Sequence, residues 1–250
     1  MSGHSKWSTI KRQKGVTDAK RGALFTKVAR EISVAARQGG GDPDANYRLR
    51  LAIEKARSVN MPADNIKRTI DKATGGGEAE QYEEIVYEGY GPGGVALLVE
   101  AQTDNRNRTA AEVRSIFTKA GGQLAGSGAV AWQFEPRGLV SVARNGVDAD
   151  EVALSAIDAG AEDVDTDDDE VIGIYTSPGD LEAVRKALEA AGIAVDSAET
   201  TVIPKQTVDL DSAKARQALR LVELLEDLDD VQRVTANFEI PEDVFAEVAG

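Results

Sequence analysis

The periodicity of the apolar residues changes once along this chain, at a run of glycines at positions 75–77. Before that run, apolar side chains recur at helical spacing, as at Leu24, Val28, Ile32 and Ala35. After it, short apolar runs of strand length alternate with helical segments. The sequence therefore predicts a helical domain over residues 17–75, followed by mixed α/β structure.

Three helices are expected before the glycine run. The first covers residues 17–38 and ends at glycines 39–41. The second begins at Asp42-Pro43, with the acid as N-cap and proline at the first helical position. The third begins near Pro62. Three short amphipathic helices can bury one another's apolar faces, so this segment can fold as a domain.

The sequence after the glycine run predicts two α/β units. Residues 138–203 have the order β-α-β-β-α-β, which is the ferredoxin-like order. Strands are expected near residues 130–134, at the end of the unit at 82–135, and at residues 139–143, at the start of the ferredoxin-like unit. The unit at 82–135 lacks one helix and one strand, and the C-terminal segment supplies one of each. The predicted fold class is multidomain α+β, with an N-terminal three-helix domain and two ferredoxin-like α/β domains, one inserted in the other. The predicted domains are residues 1–75, residues 76–136 together with 204–250, and the inserted residues 137–203.

Charge is divided unequally between these parts. Residues 1–75 hold 16 of the 29 Lys and Arg but only 7 of the 43 Asp and Glu. Their formal charge is +9, whereas the rest of the chain carries −23. A basic segment on an acidic body predicts contact with nucleic acid at one end of the molecule only.

The first helix and the segment before it supply the candidate contacts. Lys20, Lys27, Arg30 and Arg37 fall opposite the apolar face, which predicts an exposed stripe. Trp7, among lysines, could stack on a base or anchor the segment. The full set of candidate nucleic-acid contacts is Lys6, Trp7, Lys11, Arg12, Lys14, Lys20, Arg21, Lys27, Arg30 and Arg37. The alternative is that these cations bind the acidic body of the same chain.

A second candidate anion site lies at the start of a predicted helix, at residues 104–109. Arg106 and Arg108 could contact a phosphate there together with the helix N-terminus. Asp104 or Asn105 is expected to cap this helix in either case.

The sequence gives little support for catalysis or a cofactor. There is no cysteine, and His4 is the only histidine, so thiolate and two-histidine metal sites are excluded. Residues 89–94, GYGPGG, match G-x-G-x-x-G, but a strand follows them, which favours a hairpin turn over a dinucleotide site. Asp165, Asp167 and Asp169 begin like a calcium loop, but Glu170 and Thr176 replace its required glycine and glutamate, which favours a solvated hairpin.

No apolar stretch is long enough to cross a membrane, and the N-terminus has no apolar core typical of a secretion signal. We therefore expect a cytoplasmic protein with no membrane partner, no cofactor, no metal and no small-molecule substrate.

Several ordered motifs closely resemble the YebC family. They are GHSKW at 3–7, DAKRG at 18–22 leading to FTK at 25–27, GGGDPD at 39–44, YEGYGPGG at 87–94, DNRNRT at 104–109, ALEAAG at 187–192 and LLEDLDDV at 224–231. The resemblance extends almost to the C-terminus. It implies a three-domain protein with one α/β domain inserted in the other.

The resemblance implies a nucleic-acid-binding regulator with no cofactor. The family is usually labelled as cytoplasmic DNA-binding transcriptional regulators. Its mitochondrial relatives resemble translational activators, and bacterial members are linked to ribosomes stalled on proline runs. Residues 59–62 do not form a convincing helix-turn-helix connection, and no dimer seam is visible, which favours RNA on physical grounds. DNA and RNA are therefore both retained as candidate targets.

Overall fold

A computed structural model of the chain describes residues 18–75 and 81–249. The N-terminal part consists of α1 (Asp18–Gly39), α2 (Tyr47–Ser58) and α3 (Ala63–Thr74). Their apolar faces meet in a core that includes Val28, Ile32 and Leu49, all fully buried. The three expected helices are therefore present, and α3 begins directly after Pro62 as predicted.

The start of α2 differs from the prediction. Asn46 caps this helix, because its side-chain oxygen accepts a hydrogen bond from Leu49 N at 3.1 Å. Its amide nitrogen donates to the carbonyls of Ala35 and Gly40, both at 2.8 Å. An amide can donate and accept at once, so Asn46 joins the end of α1 to the start of α2. Asp42, the predicted cap, instead belongs to the turn before Asn46.

The elements that follow are, in chain order, β1 (Glu83–Tyr90), β2 (Ala96–Thr103), α4 (Arg106–Lys119), β3 (Gln123–Leu124), β4 (Phe134–Ala143), α5 (Ala149–Asp158), β5 (Asp163–Asp165), β6 (Val171–Thr176), α6 (Leu181–Ala190), β7 (Ser197–Pro204), α7 (Ser212–Glu226), β8 (Val231–Ala236) and α8 (Glu242–Ala249). Short 3₁₀ turns precede β2 and β4.

Two antiparallel sheets form the body of the protein. The first has the order β3-β1-β2-β8, so a strand from the C-terminal segment pairs with β2. Phe117 of α4 and Leu221 of α7 are buried in the core of this unit. The second sheet has the order β5-β6-β4-β7, which is the strand order of a ferredoxin-like fold, and α5 and α6 pack on it. The multidomain α+β fold class is confirmed.

Some local predictions differ from the structure. Residues 130–134 were expected to form a strand, but residues 131–133 form a 3₁₀ turn. The predicted strand at 139–143 is the second half of the longer β4. The short β3 and the terminal α8 have no counterpart in the prediction. The turn at 131–133 has a visible cause, because the N–H groups of Gly128, Val130 and Ala131 donate to the carboxylate of Glu88.

The two motifs that imitate ligand sites are turns, as predicted. Gly93 and Gly94 have φ values of +77° and +82° between β1 and β2, a conformation that favours glycine. Asp165 accepts a hydrogen bond from Asp167 N at 3.0 Å in the β5–β6 hairpin. Among the described residues, no group of three His, Cys, Asp or Glu side chains could hold a metal ion. Within the same ranges, no helix is both long enough and apolar enough to cross a membrane.

Candidate nucleic-acid interface

Two cations of the predicted α1 stripe contact the acidic body. Arg30 forms an ion pair with Asp230 at 2.8 Å and also donates to the carbonyl of Asp229. Lys27 donates to the carbonyl of Glu226, the last residue of α7. The carbonyls at a helix C-terminus carry partial negative charge and therefore attract cations. For these two residues, the structure agrees with the alternative prediction that the cations bind the acidic body of the same chain.

The predicted stripe is therefore not uniformly exposed. The Arg30 side chain is only 13% exposed, whereas Arg21 and Arg37 are exposed on α1. Helical periodicity correctly placed Arg30 off the apolar core of its own domain, but it carries no information about a second domain packed on that side. Lys6, Trp7, Lys11, Arg12 and Lys14 lie outside the described residues, and so does the Lys20 side chain.

Asp230 is the centre of the contact between α1 and the first sheet. Besides Arg30, it pairs with Arg108 at 2.7 Å and accepts hydrogen bonds from the hydroxyls of Thr109 at 2.6 Å and Thr103 at 3.1 Å. Burial raises the pKa of this carboxyl, but the hydrogen bonds from Arg108 and Thr109 and the charge of Arg30 outweigh that effect and lower it. Asp230 is therefore a buried, charged group with several compensating partners.

In the second predicted anion site, at residues 104–109, Arg108 is already paired with carboxylates of this chain. Arg108 pairs with Asp104 at 2.7 Å as well as with Asp230, and these hydrogen bonds raise its pKa. The Arg106 side chain is 70% exposed, and its Nη1 lies 3.9 Å from Oε2 of Glu83. Asn105 caps α4 by accepting from Arg108 N. A phosphate would have to compete with two carboxylates for Arg108. Of the two arginines predicted to bind a phosphate, the geometry therefore favours Arg106.

A set of uncompensated cations lies on α2 and α3. Its members are exposed, and none forms an ion pair or side-chain hydrogen bond with another described residue. They are Arg57, Lys67, Arg68 and Lys72. Arg57 and Lys67 border a groove of about 370 Å³ between the two helices. We call these four residues the α2–α3 basic surface. None of the four is among the candidate contacts predicted from the sequence.

A second missed feature is a pair of exposed aromatic side chains beside β1. Trp132 is 68% exposed and Tyr90 is 38% exposed. Both donate to the carbonyl of Ala129, at 3.1 Å and 3.0 Å respectively. The hydrogen-bonding groups of both rings are thus satisfied, while both side chains stay partly exposed to solvent. The apolar run at 130–134 predicts a strand, and a strand prediction gives no sign of this exposure.

A buried carboxylate fixes the loop that carries Trp132. Glu88 is 5% exposed and accepts hydrogen bonds from the backbone N–H groups of Gly128, Val130 and Ala131 at 2.6, 2.7 and 2.9 Å. Burial raises the pKa of Glu88, but the three donors together lower it below its usual value. The aromatic pair is therefore held on a rigid support.

Comparison with known proteins shows consistent similarity over the whole chain. Residues 5–76 match the model of the TACO1/YebC protein N-terminal domain, and residues 82–238 match that of the TACO1/YebC second and third domain. A protein of Rubrobacter xylanophilus named "Probable transcriptional regulatory protein" is 57% identical over 251 residues, covering 100% of both chains. A protein of Roseiflexus castenholzii with the same name is 58% identical, covering 96% of both.

A solved structure agrees with this assignment. The crystal structure of a conserved hypothetical protein from Aquifex aeolicus is 51% identical in sequence and has a TM-score of 0.85. The similarity covers 90% of this chain and 93% of that one. These matches span the helical domain and both α/β domains, and the chain belongs to the TACO1/YebC family.

Proposed function

We propose that this protein is a non-enzymatic regulator of gene expression that binds nucleic acid through its N-terminal helical domain. The observation that carries the proposal is the α2–α3 basic surface, whose four cations have no partner among the described residues. Uncompensated cations on an exposed surface attract phosphates and release counterions when they bind them. The names of the relatives support a regulatory role.

The proposed interface consists of this surface together with the other predicted contacts of the helical domain. Arg21 and Arg37 are exposed on α1, and the N-terminal candidates Lys6, Trp7, Lys11, Arg12, Lys14 and Lys20 remain part of the proposal. Lys27 and Arg30 instead position the helical domain on the body. The excess of acidic residues elsewhere repels phosphates and so restricts the orientation in which the protein binds.

Two targets follow from different observations. The names of the relatives favour a transcriptional regulator, and the first candidate is therefore a regulator that binds DNA. The exposed pair of Tyr90 and Trp132 favours the second candidate, a ribosome-associated translation factor that binds ribosomal or transfer RNA and relieves stalling at proline-rich stretches. Aromatic faces stack on unpaired bases, which folded RNA presents and duplex DNA does not.

Sedimentation of cell lysate through a density gradient distinguishes the two candidate functions. The gradient is run at low and at high salt, after treatment of the lysate with DNase or RNase. A ribosome-associated factor sediments with ribosomal particles at low salt, remains there after DNase treatment and is released by high salt. A transcriptional regulator stays outside those fractions and shifts a specific promoter fragment in preference to random duplex at physiological salt. If the protein neither enters the ribosomal fractions nor binds either nucleic acid, the proposed function is wrong.

The aromatic pair gives a direct optical test. Trp7 and Trp132 are the two tryptophans in the chain, so Trp7→Phe leaves Trp132 as the single indole. We expect single-stranded RNA to quench the fluorescence of this variant, because a stacked base contacts the exposed indole directly. Trp132→Ala in the wild-type chain should weaken RNA binding by roughly 5- to 160-fold, which corresponds to about 1–3 kcal/mol of stacking. Leu154→Ala, at another exposed apolar residue, is the control and should leave binding unchanged.

A further inference from the structure

The groove between α2 and α3 combines an apolar floor with charged groups at its rim. Its volume of about 370 Å³ is enough for one nucleobase and lies within the range of sites for small molecules. Ile53, Met61 and Ile66 of the floor are buried, and Ile70 is half-buried. Apolar side chains make no favourable contact with a phosphate, so the floor fits a different part of a ligand from the cations at the rim.

The turn between α1 and α2 closes one end of this groove. Gly41 lines the groove, and a Cβ atom at this position would lie 3.1 Å from methyl groups of both Ile70 and Thr74. The absence of a side chain therefore lets the turn pack closely against α3. Asn46 holds the same turn by donating to the carbonyl of Gly40 at 2.8 Å. The groove is thus bounded by this turn and by both helices.

Asp71, directly after Ile70, supplies a carboxylate to the lining. Its side chain is exposed and forms no ion pair or side-chain hydrogen bond with another described residue. Lys67 lies one helical turn earlier and borders the same groove, but the two side chains do not pair. An ionised carboxylate is an acceptor only, so a ligand that contacts Asp71 has to donate an N–H or O–H group.

The charges around the groove select an anionic ligand. Arg57 and Lys67 line it, and Arg68 and Lys72 complete the α2–α3 basic surface beside it. A matching ligand therefore combines negative charge, an apolar face and hydrogen-bond donors. A nucleotide with an unpaired base has all three, in its phosphate, its ring and its Watson–Crick edge. An acidic protein segment would supply the charge and the apolar face, but its carboxylates would repel Asp71.

We propose that this groove holds one unpaired guanine of a bound single-stranded RNA segment. The ring would lie against the apolar floor, where the thioether of Met61 suits an aromatic partner. Its N1–H and 2-amino groups would donate to Asp71, and the flanking phosphates would pair with Arg57 and Lys67. Guanine fits better than the other bases because it alone has two adjacent donors on its Watson–Crick edge. The inference rests on the proposed function, since it specifies which part of the nucleic acid the helical domain binds.

Fluorescence anisotropy of the full-length protein with short labelled oligouridine strands tests the proposal. One strand contains uridine alone, another carries a single guanosine, and a third carries inosine, which lacks the 2-amino group, at the same place. We expect the wild type to bind the guanosine strand about tenfold more tightly than the all-uridine strand, because a good bidentate contact discriminates between bases by about this factor. The inosine strand should fall between the two.

Asp71→Asn should lose most of the preference for guanosine, because the amide replaces one acceptor oxygen with a donor. The variant also has one negative charge fewer, so general electrostatic attraction to RNA rises. Weaker binding of the guanosine strand is therefore not an effect of net charge. Asp64→Asn is the matched control, since it removes the same charge from an exposed position about two helical turns earlier on α3, outside the groove. It should keep the tenfold preference.

Failure of this inference is distinguishable from failure of the proposed function. If the wild type binds all three strands equally, the inference is wrong, the proposed function stands, and the groove takes another occupant, such as a protein segment. If Asp71→Asn keeps the full preference, guanine is recognised elsewhere and the inference is again wrong. The same holds if the wild type binds duplex DNA but none of the strands. If it binds neither, the proposed function and the inference both fail.

Discussion

Replacing Asp230 with asparagine is expected to weaken the contact between the helical domain and the body and to lower the free energy of unfolding by about 3 kcal/mol. The substitution leaves Arg30, which is 13% exposed, without its ion-pair partner, and it removes one of the two carboxylates that pair with Arg108. It also replaces a hydrogen-bond acceptor of Thr109. Urea denaturation and hydrogen exchange of α1 measure the loss of stability.

The matched control is Asp229→Asn, one residue earlier. The Asp229 side chain is exposed, and its backbone carbonyl, which the substitution keeps, is the group that contacts Arg30. This control removes the same charge and should change the free energy of unfolding by less than about 0.5 kcal/mol. Equal effects of the two substitutions would mean that the Arg30–Asp230 contact does not hold the helical domain in place.

The same contact has a characteristic pH dependence. The pKa of Asp230 is lowered in the folded protein, so its stabilising effect is fully present above the unfolded value of about 3.9. It disappears as the pH falls through the lower folded-state pKa. The difference in stability between the wild type and Asp230→Asn should therefore be largest near neutral pH and decrease on acidification. A difference that is constant down to about pH 2 would contradict this pKa shift.

The second large effect is expected when the α2–α3 basic surface is neutralised. Substitution of its four residues by glutamine should weaken nucleic-acid binding by about 100-fold at low salt. The plot of log affinity against log salt should become shallower by about 0.7–0.9 for each phosphate that the variant no longer neutralises. Fluorescence anisotropy with labelled RNA and duplex DNA, measured over a range of salt concentrations, gives both quantities.

A second quadruple variant controls for net charge. It carries glutamine at four exposed cations of the acidic body, namely Lys119, Lys186, Lys214 and Arg220. Both variants lose four positive charges, so a general electrostatic effect would weaken binding equally in the two. We expect a steep salt dependence, close to that of the wild type, for the control and a shallow one for the α2–α3 variant.

The sequence predicts the helical domain and the ferredoxin-like unit well because their signals are local. The glycines at 39–41 and 75 end helices, and the apolar spacing of α1 identifies Val28 and Ile32 as core residues. The predicted start of α2 was wrong because Asn46 derives its capping role partly from Ala35 and Gly40 at the end of the preceding helix. A nearby Asp-Pro pair gave the stronger local signal.

The candidate site was less predictable because it depends on contacts between residues distant in the chain. The partners of Arg30 and Lys27 lie about 200 positions away, at the end of α7 and beyond it. No periodicity within α1 could distinguish these two docked cations from the exposed Arg37. The same limitation concealed the α2–α3 basic surface, since exposure shows that a cation is solvated but not that it lacks a partner.

Ultraviolet crosslinking in intact cells, followed by mass spectrometry of the crosslinked peptides, tests the central claim most directly. We expect nucleotide adducts concentrated in residues 1–75, including peptides of α2 and α3, with a second group at Trp132. The chemical identity of the adduct, ribonucleotide or deoxyribonucleotide, decides between the two targets. Adducts confined to the acidic domains, or no adducts above background, would contradict the claim that the helical domain binds nucleic acid.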